Sequence, residues 1–312
     1  MADYHEITAL CLFHLNVLSV HSVPHKQIAL TLDDSPRAAG GYLDGPTRAK
    51  MLLSALKEHH VPQVVFFSVS AHLHGEGLAR LKAYGDAGHL IANHTHNHPD
   101  FNTVTLAQYI ESFEQADRAL ASFSTMTKLF RFPYLREGNS LEKRDAMRKV
   151  LADHGYRNGY VTVNTYDWYI ENQFQNAIKA GHNVDLDRMS RFYVDMMMQS
   201  IEAYDTRAVE VLGRSPKHTL LLHEMDITAL FIGDLITALK QQGWQVISPL
   251  DAYQDEIATF VSDEILPFNP GRIGEIARTK GVTKGLWPQA LQENYLDQQF
   301  QLQVLHSQSL SN

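Results

Sequence analysis

The stretch 63-QVVFFSV-69 decides the fold. It is apolar at consecutive positions rather than alternate ones, the mark of a strand buried on both faces within a parallel sheet covered by helices. Before it, Pro46 opens a helix that runs to about His59 with Leu52, Leu53 and Leu56 on one face. Earlier still, 27-QIALTL-32 reads as a strand ended by the turn cluster 33-DDSP-36. Beyond residue 69, helical patterns near 75–86, 105–123, 141–154 and 227–241 alternate with strand patterns at 89–91, 128–132, 159–163, 218–222 and 244–247. Seven alternations predict parallel strands joined by right-handed crossovers, and the count favours a closed or nearly closed β/α barrel over an open doubly wound sheet.

Three segments fall outside that rhythm. Residues 169–216 read as an insertion, mostly one amphipathic helix, because Leu186, Met189, Tyr193, Met197, Tyr204, Ala208 and Val211 recur at three- and four-residue steps. Its Met196–Met198 run reads as gap-filling core. Residues 256–312 are punctuated by Pro267, Pro270 and Pro288 and read as a C-terminal tail wrapping a barrel of residues 26–255. Residues 1–25 form an N-terminal extension. Within it 7-ITALCLFHLNVLSV-20 has the look of a degenerate signal segment, but His14 and Asn16 interrupt it and acids stand where basic residues are expected. An irregular strand or helix fits it equally. No apolar run approaches the ~18 residues of a transmembrane helix.

Composition narrows the function. At 312 residues and 44 % hydrophobic the chain is globular, not disordered. A net charge of −8 makes it a poor match for a phosphate backbone, so no nucleic-acid partner is expected. One cysteine, Cys11, excludes an intramolecular disulfide and any multi-cysteine metal site, whereas 17 histidines supply imidazole freely. A metal here would be held by nitrogen and oxygen.

The chemistry-bearing residues cluster at strand ends. In 93-NHTHNHP-99, His94 and His98 stand four apart and share a face if the segment turns helically, a spacing by which two imidazoles hold one metal; His96 would point away. Asp33 and Asp34 end the first strand, where β/α barrels gather their active sites, and two carboxylates there can divide metal binding and base catalysis. As a bare pair they also suit a turn and helix cap. Arg131-Phe132-Pro133-Tyr134, Asp167-Trp168-Tyr169 and His223 follow further strands. Five strand ends each carrying a polar group suited to metal-assisted hydrolysis outweigh the bland reading of any one of them. Tyr134, Tyr166, Trp168 and Tyr169 would also suit the apolar faces of sugar rings.

In order along the chain, 31-TLDDSP-36, 93-NHTHNHP-99, 131-RFPY-134, 166-YDW-168 and 220-LLLH-223 resemble the sequence blocks of the NodB-homology polysaccharide deacetylases, carbohydrate esterase family 4. The resemblance spans about residues 26–253. It implies a distorted (β/α) barrel that removes acetyl groups from an acetylated glycan, N-acetylglucosamine polymers or acetylated xylan, with one divalent metal ion, zinc first and cobalt or manganese as alternatives. By resemblance Asp34, His94 and His98 bind the metal, Asp33 is the base, His223 the acid, Arg131 orients Asp33 and Asp167 orients His223. Tyr134 offers a backbone N–H to the oxyanion, while Trp168 and Leu221 wall the acetyl pocket. A glycan substrate favours the cell envelope or exterior. Ser35, the run 135-LREG-138 and Glu224 depart from the family pattern, and each is expected where substrate enters. The competing readings are a metal-independent hydrolase of cyclic amides or ureides on the same barrel, and a non-catalytic carbohydrate-binding protein.

Overall fold

The computed structural model describes residues 26–305; the N-terminal extension 1–25 and residues 306–312 lie outside the described residues. Its strands are β1 (Lys26–Ser35), β2 (Val65–Ser68), β3 (Leu90–Asn93), β4 (Met126–Phe130), β5 (Arg157–Asn158), β6 (Lys217–His223) and β7 (Trp244–Val246). They form one seven-stranded sheet in the order β5-β4-β3-β2-β1-β6, with β7 paired to the start of β1, and every pairing is parallel. The sheet curls until its edges meet through the chain after β5. There Val163 bridges Leu220 in parallel, and the Leu221 N–H donates to the Val163 carbonyl at 3.0 Å. This is the nearly closed β/α barrel that the alternation predicts, with the distortion that the resemblance implies.

The distortion has a local cause. The pattern 159–163 reads as one strand, yet only Arg157 and Asn158 pair with β4. Gly159 donates to the Phe130 carbonyl at 2.7 Å, and a Cβ on it would lie 2.5 Å from Cζ of Phe67. The chain therefore passes close beneath Phe67, leaves β4 and crosses to β6, and only glycine fits the crossing.

Ten helices surround the sheet among the described residues: α1 (Gly45–Glu58), α2 (Gly75–Asp86), α3 (Leu106–Leu120), α4 (Leu141–Asp153), α5 (Asp167–Lys179), α6 (Leu186–Leu212), α7 (Asp226–Gln241), α8 (Pro249–Ala252), α9 (Gly271–Thr279) and α10 (Glu293–Phe300). Their starts follow from capping. Asp44 accepts from the Thr47 N–H at 2.6 Å ahead of Pro46, and Thr105 with Gln108 forms a reciprocal capping box. The insertion 169–216 is mostly the one helix α6, as the spacing predicts, preceded by the greater part of α5. Gly181, with φ of 81°, follows the end of α5, and Asp185 then caps α6 by accepting from the backbone of Asp187 and Arg188. The face read from the spacing is the buried one, Met189, Tyr193, Met197, Tyr204, Ala208 and Val211, and Met196–Met198 are buried with it. In residues 256–305 the elements are too short to show a period, and they lie against the insertion, α9 on α6 and α10 on α5. No helix of the described residues is long and apolar enough to cross a membrane.

Side-chain parity in β1 sets which residues reach the barrel interior. Ile28, Leu30 and Leu32 join the core beneath the helices, so Ala29, Thr31 and Asp33 face the opposite side of the sheet, the inside of the barrel. A second cluster, built on Phe101, Tyr109, Phe113, Phe130, Phe132 and Met147, packs α3 and α4 against the ends of β3 and β4. Replacing Gly159→Ala should destabilise the chain by about 1–3 kcal/mol through overpacking against Phe67. Chemical denaturation measures it, and an unchanged midpoint would contradict the close crossing.

Candidate active site

In a regular strand neighbouring residues face opposite ways, so a second carboxylate after Asp33 would turn into the helix layer. The register of β1 against β2 shifts between Leu32 and Ser35, and Asp34 takes a left-handed φ of 64°. This bulge brings both carboxylates to the mouth. Asp33 is buried, and its Oδ1 accepts from Arg131 Nη1 at 2.7 Å. Burial pushes its pKa up to about 6, against the pull of the Arg131 and His223 charges.

His94 and His98 converge by a different route from the helical turn that their spacing suggests. Residues 94–99 are loop; Thr95 and His98 have φ of 70° and 52°, and these kinks bring the two rings together. The loop is pinned by the Thr95 N–H to Asn93 Oδ1 at 2.8 Å and the His98 N–H to Thr95 Oγ1 at 3.1 Å. His94 Nδ1 donates to the Arg131 carbonyl at 2.8 Å, which leaves the Nε2 lone pair free. That Nε2 lies 3.6 Å and His98 Nε2 3.3 Å from Asp34 Oδ1. His96 is turned away, its Nδ1 2.9 Å from Ser70 Oγ.

Asp34 Oδ1 is buried yet has no hydrogen-bond partner, a costly state for a carboxylate oxygen. Burial raises the pKa of Asp34, but the nearby His223, His98, His94 and Arg37 outweigh it and hold the group down at about 2. Burial, then the neighbouring His98, lowers His94 to about 3, and burial also lowers His98. One ionised carboxylate and two neutral imidazoles, with ligand atoms all within 4.8 Å of one another, are the donor set and charge states that fit a divalent ion with open positions.

On the other side of Asp33 stands its register partner on β6, His223. Asp167, the fully buried first residue of α5, grips it twice: Oδ1 accepts from Nδ1 at 2.7 Å and Oδ2 from the backbone N–H at 2.6 Å. Burial lowers the His223 pKa, but Asp167 chiefly, with Asp34 and Asp33, reverses this and raises it to about 9. The mouth thus holds a charged imidazole beside ionised carboxylates.

Of the remaining sequence candidates, the Tyr134 ring stands edge-on to His98 at 4.6 Å and Leu221 lies two residues before His223 on the same side of β6, while the Trp168 ring packs against Tyr166 at 5.2 Å. Two of the departures from the family pattern do not lie where substrate enters. Ser35 is wholly buried, and so is Glu224, which accepts from Arg80 Nη1 at 2.6 Å, Tyr84 Oη at 2.8 Å and the Arg37 N–H at 2.7 Å. Glu224 is a buried anchor for the 35–44 loop.

Three residues escaped the sequence reading. Thr31 Oγ1 accepts from Arg131 at 2.8 Å; as the polar residue inside QIALTL, two before Asp33, it carries a usable signal in its parity. Arg37 Nη1 donates to Asp34 Oδ2 at 3.0 Å. Tyr253 Oη accepts from Arg131 Nη2 at 2.9 Å and donates to the Tyr160 carbonyl at 3.1 Å, a tie across 122 residues that no local pattern announces.

Residues 21–159 match the family model described as polysaccharide deacetylase, a span that includes Asp33, Asp34, His94, His98, Arg131 and Tyr134. The chain is 27 % identical over 163 residues to the peptidoglycan-N-acetylmuramic acid deacetylase PdaA of Bacillus subtilis (strain 168), covering 50 % of this chain and 57 % of that protein. It is 32 % identical over 117 residues to a chitin deacetylase of Colletotrichum lindemuthianum, 35 % of this chain and 42 % of that one. It therefore spans about half the length of the curated relatives it matches. Among solved structures, a CE4 family pseudoenzyme from Bacillus anthracis aligns with a TM-score of 0.51 at 21 % identity, over 73 % of this chain and 66 % of that one, a likeness of fold. Over residues 21–159, rather less than half of its length, this chain is similar to the polysaccharide deacetylases.

Proposed function

We propose that this protein hydrolyses acetyl groups from an acetylated glycan, most directly the N-acetyl groups of an N-acetylglucosamine polymer or oligomer. The observation that carries the reading is the unpartnered Asp34 Oδ1 facing two neutral imidazoles, with a buried carboxylate–arginine pair and a buried imidazole–carboxylate pair beside it. Asp34, His94 and His98 would hold one divalent ion, zinc first, cobalt or manganese as alternatives. Such an ion, when bound, acidifies a water molecule and polarises the acyl oxygen.

The chain's own groups supply the rest. Asp33 takes a proton from the attacking water; Arg131 occupies its Oδ1, and its Oδ2 is turned to the triad, 3.9 Å from His94 Nε2. The water oxygen bonds to the acyl carbon. The Tyr134 backbone N–H meets the developing oxyanion, a contact worth roughly 3–4 kcal/mol where such donors have been removed. As the C–N bond breaks, the amine nitrogen takes a proton from His223, and acetate leaves. Asp167 holds that imidazole in the charged form and in the orientation that presents Nε2–H to the substrate. Trp168 and Leu221 enclose the acetyl methyl. Acetyl esters present the same carbonyl, so acetyl-xylan belongs among the substrates to test.

The CE4 relative described as a pseudoenzyme makes a non-catalytic role the natural rival. Retention of both Asp33 and His223, each on a buried opposite charge, argues for catalysis, since binding a sugar needs neither. An orphaned carboxylate oxygen between two imidazoles likewise counts against a metal-free hydrolase.

Chelator treatment should abolish acetate release from N-acetylglucosamine oligomers and acetyl-xylan, and added Zn²⁺, Co²⁺ or Mn²⁺ should restore it. No release from any acetylated substrate after metal is restored would sink the reading. His223→Ala should lose turnover by at least about a hundredfold while metal affinity stays unchanged; metal loss in that variant would contradict the division of roles. Because the pKa of His223 is raised, its proton is held through neutral pH and lost as pH rises through about 9, so kcat/KM should fall above that value. A profile still rising past that point would remove His223 as the acid.

A further inference from the structure

Tyr134 and Phe268 are the two most exposed aromatic rings among the described residues, at 57 % and 68 %, and both flank one guanidinium. The Arg136 guanidinium carbon lies 5.5 Å from the Tyr134 ring centre and 5.2 Å from that of Phe268. Tyr134 in turn abuts His98 at 4.6 Å. A continuous strip therefore leads from the metal triad over Tyr134 and Arg136 to Phe268. The last residue belongs to the C-terminal segment, outside the 21–159 match to the family model.

Scattered apolar surface residues are ordinary and need no explanation. Phe268 differs because the backbone around it is fixed while its ring is not covered. Asn102 Nδ2 donates to the Pro267 carbonyl at 3.2 Å, and Asn269 Oδ1 accepts the Gly271 N–H at 2.8 Å. The segment is held so that the ring stands out beside the mouth. Leaving such a side chain in water forgoes roughly 1.5–3 kcal/mol of burial.

The strip's chemistry selects a ligand class. Arg136 is paired with Asp100, so the strip carries no uncompensated positive charge to recruit a phosphate or an acidic sugar. Two rings around a paired guanidinium and carboxylate offer apolar faces beside both donors and acceptors. A neutral pyranose, with C–H faces and equatorial hydroxyls, matches both.

We propose that Tyr134, Arg136 and Phe268 form a subsite for a neutral sugar ring of the same glycan chain, beyond the ring whose acetyl group lies at the triad. The chain is thereby a reader of extended glycans rather than of single sugars. The direction of the strip rests on the deacetylase reading; the existence of the subsite is tested separately, by binding.

Dimers and hexamers of N-acetylglucosamine should be titrated into the metal-loaded Asp33→Asn chain by calorimetry, alone and with Phe268→Ala or Phe268→Trp added. The expected result is hexamer binding tighter than dimer binding. Phe268→Ala should weaken the hexamer by roughly fivefold to tenfold, leaving the dimer unaffected, and Phe268→Trp should restore it. Equal affinity for hexamer and dimer, or a hexamer affinity that Phe268→Ala leaves unchanged, overturns the subsite. Acetate release by the parent chain is scored independently. Length-dependent binding without deacetylation would keep the subsite and discard the deacetylase reading.

Discussion

A buried guanidinium organises the mouth of this barrel. Arg131 is almost wholly removed from solvent, and each of its donor nitrogens is accounted for: Nε on the Gly159 carbonyl, Nη1 on Thr31 and Asp33, Nη2 on Tyr253. Its flat face lies over Phe67, 4.1 Å from the ring centre. Its own carbonyl receives His94 Nδ1. One residue thus fixes Asp33 through its side chain and His94 through its backbone, so the carboxylate proposed as base and one imidazole of the triad share a single support. Removing one partner of a buried pair costs about 3–5 kcal/mol, because a charge is left uncompensated. Strand β1, the end of β4, the crossing at Gly159 and Tyr253 at the end of α8 are all tied to that requirement.

A second buried cluster does the same for the neighbouring loop. Arg48 and Arg80 meet Glu224, Arg48 also meets Asp226 and Arg80 also meets Glu76, while both guanidinium groups donate to the Arg37 carbonyl and Arg48 to that of Ala38 as well. Asp226 in turn accepts the backbone N–H groups of Tyr42 and Leu43. A segment without regular structure is thereby held as firmly as a strand, and it carries Arg37 against the outer oxygen of Asp34. The two networks meet at the Asp33-Asp34 pair from opposite sides.

The parts legible in the sequence are those set by short-range periodicity. The continuous apolar run at β2, the face of α6 and the order of strands and helices all follow from local spacing. So does the gathering of Asp33, Asp34, His94, His98, Arg131, Asp167 and His223, since each stands at the end of a strand or in the segment that follows one, and parallel strands deliver their ends to one face. The failures share a cause as well. The helical turn expected for His94 and His98 is a kinked loop, because left-handed backbone at Thr95 and His98 does what a helix turn would have done. Glu224 is an anchor because its partners Arg48, Arg80 and Tyr84 arrive from more than 100 residues away. Long-range charge satisfaction leaves no periodic trace.

Six non-glycine residues of the described chain have positive φ, and five of them, Asp34, Thr95, His98, Tyr134 and Leu135, surround the mouth. Each such residue costs roughly 1–3 kcal/mol that the rest of the fold must absorb. Glycine at Thr95 or Leu135 would relieve part of that strain, so stability and site geometry pull these positions in opposite directions. A lineage released from the need to hold that geometry would drift first here, gaining stability as the Asp34, His94 and His98 cluster loosened. Thermal robustness in such a relative would then record a loosened mouth rather than improved design.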